Sequence, residues 1–132
     1  MMKNIAFLCI VPFLLIGCAS AQNKPNNIDQ KLDAKKGKEI VLVKIVNDSR
    51  CPEGVQCIWA GEITFEVAAY EDNKLVEQTL LTLTPNKENT VLDWFEKHLP
   101  KSDQKLKEIG ITPYPKNGVT VKPEAYSINL IY

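Results

Sequence analysis

Alternating apolar and polar positions run through most of this chain and predict β-strands. Residues 39–46 form a continuous β-branched run, as expected for a strand with both faces partly covered. Residues 63–69 show the clearest two-residue period, and residues 75–83 follow a polar turn and can return as the hairpin partner. Two further strands are predicted over residues 106–112 and 126–132. The pattern therefore predicts about five strands in antiparallel arrangement.

One segment departs from strand spacing. Residues 91–99 place their apolar side chains at helical intervals, with Asn89 or Thr90 available as N-cap and Pro100 as the stop. About five strands and one short helix predict a mainly β fold, a small antiparallel β-sandwich or barrel with one short helix.

The start of the chain has the pattern of an export signal. Lys3 precedes an apolar run over residues 5–16, which is of signal-peptide length and shorter than the roughly 20 residues that span a bilayer. Leu15-Ile16-Gly17-Cys18 follows and resembles the lipobox of bacterial lipoproteins, in which a peptidase cuts before a lipidated cysteine. The resemblance implies that residues 1–17 are a lipoprotein signal peptide and that Cys18 carries acyl chains such as palmitate.

Two other interpretations of this start remain open. Ala19-Ser20-Ala21 would let an ordinary signal peptidase cut after Ala21 and release a soluble protein. Alternatively, the apolar run could be the buried first helix of a cytoplasmic protein. The lipobox is favoured because Gly17-Cys18 directly ends the run. No aspartate follows Cys18 in the position that resembles an inner-membrane retention signal, so we expect an exported protein, lipid-anchored at the cell envelope on the outer membrane.

Composition divides the remainder into a tail and one domain. Residues 18–38 are polar with scattered Pro and Gly, and they predict a lipid-anchored flexible tether. Residues 39–132 are then a single β-rich domain. The chain has 16 Lys and Arg residues and 16 Asp and Glu residues. This balanced charge does not indicate nucleic-acid binding. The expected partners are the membrane, through Cys18, and an unknown envelope partner or ligand.

Two cysteines remain in the predicted domain, Cys51 and Cys57. In an oxidising compartment they most simply pair with each other, which would close the connection between the first two long strands into a compact loop. We expect the ring of Trp59 to be largely buried against that disulfide and the sheet. Gly61 is expected to permit a close backbone approach where the next strand starts.

The segment around these cysteines resembles one found in small exported bacterial domains and lipoproteins. Their shared pattern is D-S-R-C-P-x-x-V-x-C-x-W-A-G, with P-Y-P and then P-x-x-Y near the C-terminus. The matching residues here are Asp48, Ser49, Arg50, Cys51, Pro52, Val55, Cys57, Trp59, Ala60, Gly61, Pro113, Tyr114, Pro115, Pro123 and Tyr126. The resemblance covers residues 39–132. It supports the fold and the disulfide, and it implies no catalytic residues.

Asp48, Arg50, Trp59 and Glu62 form the candidate binding surface in this segment. Arg50 is expected to pair with Asp48 or Glu62, or else to contact a ligand. A hard cation could gather Asp48, Glu53 and Glu62, but their spacing fits no calcium loop, so solvated loop carboxylates are favoured.

Soft-metal and enzymatic chemistry have weaker patterns. Cys51 and Cys57 with His98 could hold a soft metal, but C-x5-C is not the usual spacing and a disulfide is favoured. His98 is the single histidine, expected on the helix as an exposed or half-buried residue rather than a base. Trp94 and Phe95 are expected in the core. No nucleophile elbow, zinc-protease motif or phosphate loop occurs.

The sequence therefore predicts a cell-envelope lipoprotein with a non-enzymatic binding or structural role, with no catalytic residues, metal or cofactor. Its ligand is not indicated. The alternatives are a periplasmic metal-handling protein and, with less support, a hydrolase that the motifs do not reveal.

Overall fold

The computed structural model of the protein describes residues 26–132. In chain order the elements are β1 (Asn27–Ile28), β2 (Lys38–Asp48), β3 (Ile63–Glu71), β4 (Lys74–Leu83), α1 (Asn89–His98), β5 (Glu108–Thr112), a 3-10 turn (Pro123–Ala125) and β6 (Ser127–Ile131). The predicted signal peptide, the lipobox with Cys18 and the alternative cleavage after Ala21 lie outside the described residues. Within them, no helix has the length and apolar character needed to cross a membrane.

The strands form two three-stranded antiparallel sheets, in the orders β2-β3-β4 and β1-β6-β5. The predicted mainly β fold with one helix is confirmed, and the sheets do not close into a barrel. On one side the sheets meet where Leu42 N–H donates to the carbonyl of Asp29 at 2.9 Å. On the other side, β4 and β5 are the edge strands of their sheets, and they do not pair with each other.

The core lies between the sheets because their inward positions are apolar. In the central strand β3, Ile63, Phe65 and Val67 are buried, while Thr64 and Glu66 point to the opposite face. The inward positions of β5 and β6 are supplied by isoleucine and leucine, and all join one core cluster. The two-residue period in the sequence therefore corresponds to real inward and outward faces.

Helix α1 completes the core. Val91, Trp94 and Phe95 are buried, so the prediction that the two aromatic residues belong to the core is confirmed. The predicted N-cap was wrong, because Glu88 occupies that position and makes no side-chain capping hydrogen bond. Packing of the apolar stripe, rather than a cap, therefore stabilises this short helix.

The ordered fold begins before Glu39, within residues 18–38, which are predicted to be a flexible tether. Asn27 and Ile28 pair with Asn129 and Ile128 as the edge strand β1. The side chain of Ile28 is only 7% exposed and belongs to the core cluster. A single apolar residue in a polar stretch gave little periodic signal, so the strand was missed.

Replacing Ile28 tests whether β1 is part of the folding unit. We expect Ile28→Ala to lower the free energy of unfolding by about 2–4 kcal/mol, because a buried aliphatic side chain is lost. Leu75→Ala, at a side chain that is 53% exposed, is the matched control and should change it by less than about 0.5 kcal/mol. Equal urea midpoints for wild type and Ile28→Ala would show that β1 is not required.

Candidate functional site

The loop between β2 and β3 is closed by a disulfide between Cys51 and Cys57, as the sequence predicted. We call residues 51–60 the disulfide loop. At its base, Ser49 N–H donates to Glu62 O and Cys51 N–H donates to Ala60 O, both at 2.9 Å. The base of the disulfide loop therefore continues the pairing of β2 with β3.

Gly61 makes this narrow base possible. Its φ is +76°, in the left-handed region, and a Cβ at this position would collide with the backbone of Ser49 and Arg50. Only glycine fits such a close approach without strain. The predicted role of Gly61 is therefore confirmed.

Arg50 is fixed by hydrogen bonds on several sides. Its Nε donates to Asp48 Oδ1 at 2.8 Å and its Nη2 donates to Asp48 Oδ2 at 2.7 Å, which is the bidentate geometry of a strong ion pair. Nη1 donates to the carbonyl of Ile111 at 2.6 Å, and Nη2 also donates to that of Pro113 at 3.1 Å. Because Asp48 ends β2 and Ile111 lies in β5, this arrangement, which we call the Arg50 clamp, joins the two sheets.

Two tyrosines complete the Arg50 clamp. The guanidinium carbon of Arg50 lies 4.9 Å from the centroid of the Tyr114 ring, a cation–π contact. The hydroxyl of Tyr126 donates to Asp48 Oδ2 at 3.1 Å. The side chains of Asp48 and Arg50 are about 90% buried, with 10% and 11% of their surfaces exposed. Paired charges with this many hydrogen bonds are the form in which buried ions are tolerated.

The surroundings of Asp48 shift two pKa values. Burial on its own would raise the pKa of the Asp48 carboxyl, but the hydrogen bonds and charge of Arg50, with help from Tyr126, hold it below its ordinary value. Burial, followed by the negative charge of Asp48, raises the pKa of Tyr126. Asp48 is therefore ionised at neutral pH and acts as an acceptor, not as a proton donor.

The disulfide loop is also attached to the segment after β5. Glu53 N–H donates to the carbonyl of Pro115 at 2.9 Å, and Glu53 forms an isolated parallel bridge with Lys116. Backbone hydrogen bonds thus hold the disulfide loop at Cys51, Glu53 and Ala60. Among the described residues, no backbone hydrogen bond joins the rest of the loop to another part of the chain.

The tip of the disulfide loop carries apolar side chains in solvent. Trp59 is 61% exposed, Ile58 is fully exposed and Val55 is 38% exposed. The prediction of a buried Trp59 was therefore wrong. Ile58 and Trp59 thus lie mostly in solvent, on a loop that is attached at Cys51, Glu53 and Ala60.

The four residues of the candidate binding surface separate into two groups. Asp48 and Arg50 pair with each other as one of the predicted options, and both belong to the Arg50 clamp. Glu62 contributes its backbone to the base of the disulfide loop, and its carboxylate does not pair with Arg50. Of the four, Trp59 is the one that is exposed.

The residues proposed for metal binding are not brought together. Cys51 and Cys57 are bonded to each other, and the carboxylate of Asp48 is taken up by Arg50 and Tyr126. Over residues 26–132, no group of three or more His, Cys, Asp and Glu side chains could hold a metal ion.

His98 lies in a separate polar cluster that attaches α1 to β4. It is buried, with 7% of its surface exposed, rather than exposed or half-buried as predicted. Glu77 accepts hydrogen bonds from Trp94 Nε1 at 3.1 Å and Lys97 Nζ at 3.2 Å, and its Oε2 lies 2.8 Å from His98 Nε2. The bonds from Trp94, then Lys97 and His98, lower the pKa of Glu77. With these contacts, the cluster supports the fold.

Sequence reasoning missed two features of this site. The sequence did not predict that Val55 and Ile58 are exposed together with Trp59, although all three lie within one short loop. The contacts of Tyr114 and Tyr126 with the Arg50 clamp were missed as well. Tyr126 lies 78 residues from Asp48 in the chain, so no local pattern joined the two.

No protein-family model, curated protein or solved structure matches this chain.

The pH dependence of stability tests the ionised state of Asp48. Because its pKa is lowered in the folded protein, its contribution is present above the unfolded value of about 4 and is lost as the pH falls through the folded value. We expect Asp48→Asn to cost about 3 kcal/mol at pH 7, and this cost to shrink steadily below about pH 4.

Denaturant unfolding of both proteins between pH 7 and pH 2.5 measures this difference. Asp93→Asn is the matched control, since Asp93 is exposed on α1, and it should leave stability nearly unchanged throughout. A cost of Asp48→Asn that stays constant down to pH 2.5 would contradict the assignment.

Proposed function

We propose that this protein is an exported, lipid-anchored cell-envelope protein with a non-enzymatic role, and that it binds a protein partner through the tip of its disulfide loop. The observation that carries the proposal is the exposure of Val55, Ile58 and Trp59 together on a loop whose base is fixed. Exposed apolar side chains that lie within one short loop of a small domain are typical of an interaction surface.

The physical chemistry of the tip suits protein recognition. Tryptophan is enriched among the residues that dominate binding energy, because its large rigid ring buries much surface at little entropic cost. The disulfide, the Arg50 clamp and the backbone hydrogen bond from Cys51 to Ala60 hold the loop that carries these side chains, so less conformational entropy is lost on binding. A flexible loop with the same side chains would bind more weakly.

The envelope location of the proposal is supported by the sequence alone. The apolar run that ends at Gly17-Cys18 suits lipid attachment at Cys18, and the outer membrane is the proposed site. The disulfide is consistent with an oxidising compartment. The resemblance to small exported lipoprotein domains points the same way, and we infer that the partner is another envelope protein.

Removing the indole separates binding from folding. We expect Trp59→Ala to change the free energy of unfolding by less than about 0.5 kcal/mol, because the side chain is mostly exposed. The same variant should lose capture of the envelope partner when a photo-crosslinking amino acid at Val55 is activated in cells. Wild type carrying the same crosslinker should give a discrete crosslinked band.

Leu80→Ala is the matched control, because Leu80 is 57% exposed on β4, outside the disulfide loop. It should leave both stability and the crosslinked band unchanged. A destabilisation of 3 kcal/mol or more by Trp59→Ala would show that the ring packs in the fold. Crosslinking that survives both Trp59→Ala and Ile58→Ala would show that the tip is not the binding surface.

A further inference from the structure

A groove lies where the two sheets part, along the free edge of β5. It has a volume of about 390 Å³. One wall is β5 itself, and the opposite wall is formed by Ile63, Leu83 and Pro85 from the other sheet and its following turn. Ala60 and Gly61 also line it, so the groove adjoins the disulfide loop. We call it the β5 groove.

The backbone of β5 points into the β5 groove at alternate residues. Leu130 N–H donates to Asn26 O, so the backbone polar groups of Leu130 face away from β5. Ile109 pairs with Leu130, and in an antiparallel ladder its own N–H and C=O must then point away from β6. The carbonyl of Ile111, which accepts from Arg50, confirms the same orientation two residues later. The edge therefore presents Ile109 N–H and C=O and Ile111 N–H.

The charge of the β5 groove is negative. Glu88 and Glu108 are the acidic residues among those that line it, and neither has an ion pair among the described residues. Arg50 is the single cation among the lining residues, and its charge is neutralised by Asp48. With apolar walls and two free carboxylates, the β5 groove suits a chain that carries both apolar and basic side chains.

We propose that the β5 groove binds an extended, basic segment of a partner protein, which adds as a fourth strand to the β1-β6-β5 sheet. The unpaired edge supplies main-chain hydrogen bonds, Ile63, Leu83 and Pro85 supply apolar contacts, and Glu88 and Glu108 attract lysine or arginine. A segment of about five residues, roughly 17 Å long, matches the length of β5. This inference rests on the proposed function and gives the chemistry of the partner that the disulfide loop meets.

A defined probe tests the charge preference. A fluorescein-labelled, end-capped hexapeptide Val-Lys-Val-Lys-Val-Lys should bind the purified full-length protein in detergent, and raised salt should weaken the binding. The peptide with glutamate in place of lysine should not bind. The double substitution Glu88→Lys with Glu108→Lys should reverse this preference, whereas Glu71→Lys, at the far end of β3, should leave it unchanged.

Amide hydrogen exchange tests the strand geometry. The lysine peptide should slow exchange of the Ile109 and Ile111 amide protons at least tenfold, and a peptide N-methylated at alternate residues should lose at least tenfold in affinity. Binding without protection at Ile109 would overturn strand addition, because side-chain contacts alone would then hold the peptide. An absence of binding by the lysine peptide would overturn the whole inference.

Failure here is distinguishable from failure of the proposed function. If the hexapeptide does not bind but crosslinking at Val55 still depends on Trp59, the disulfide loop binds its partner without the β5 groove. If the hexapeptide does not bind and crosslinking at Val55 no longer depends on Trp59, the proposed function fails together with this inference.

Discussion

The rest of this site depends on the contacts that the guanidinium group of Arg50 makes. It meets the carboxylate of Asp48 in a bidentate pair and reaches the carbonyls of Ile111 and Pro113 in and after β5. Burying this charge would be costly without partners, and here four hydrogen bonds and the face of Tyr114 provide them. Lysine could not make the same planar set of bonds, so the position requires arginine.

The Arg50 clamp explains how the disulfide loop and the β5 groove are positioned. The two sheets do not close into a barrel, and the Arg50 clamp joins them at the end of β5. The disulfide loop starts directly after it, so its base is rigid and its apolar tip is held in solvent. The β5 groove begins on the other side of the same arginine. A single structural contact thus positions both surfaces that we assign to binding.

The sequence predicted the features that depend on local pattern. The period of two in β3 and the helical spacing of α1 were sufficient to place both elements, and the presence of two cysteines in the predicted domain was sufficient to pair Cys51 with Cys57. The exposure of Trp59 was not predictable in this way. Whether an indole is buried depends on what the tertiary structure brings beside it, and nothing local in the disulfide loop specifies that.

Long-range contacts account for the remaining differences. Arg50 bonds to carbonyls 61 and 63 residues away, and Tyr126 bonds to Asp48 across 78 residues. β1 likewise pairs with β6 near the opposite end of the chain, and its two residues have too little periodicity to reveal the pairing. Such contacts follow from the topology of the fold. The pattern of apolar residues reduces the number of possible topologies but does not determine which one forms.

The energetic coupling between Asp48 and Arg50 is the most direct test of this account. Stabilities of wild type, Asp48→Ala, Arg50→Ala and the double variant at pH 7 give a double-mutant cycle, in which the coupling energy is the departure from additivity. We expect each single variant to be strongly destabilised and the coupling to reach about 2 kcal/mol or more. Additive effects, within about 0.5 kcal/mol, would contradict the claim that this ion pair holds the site together.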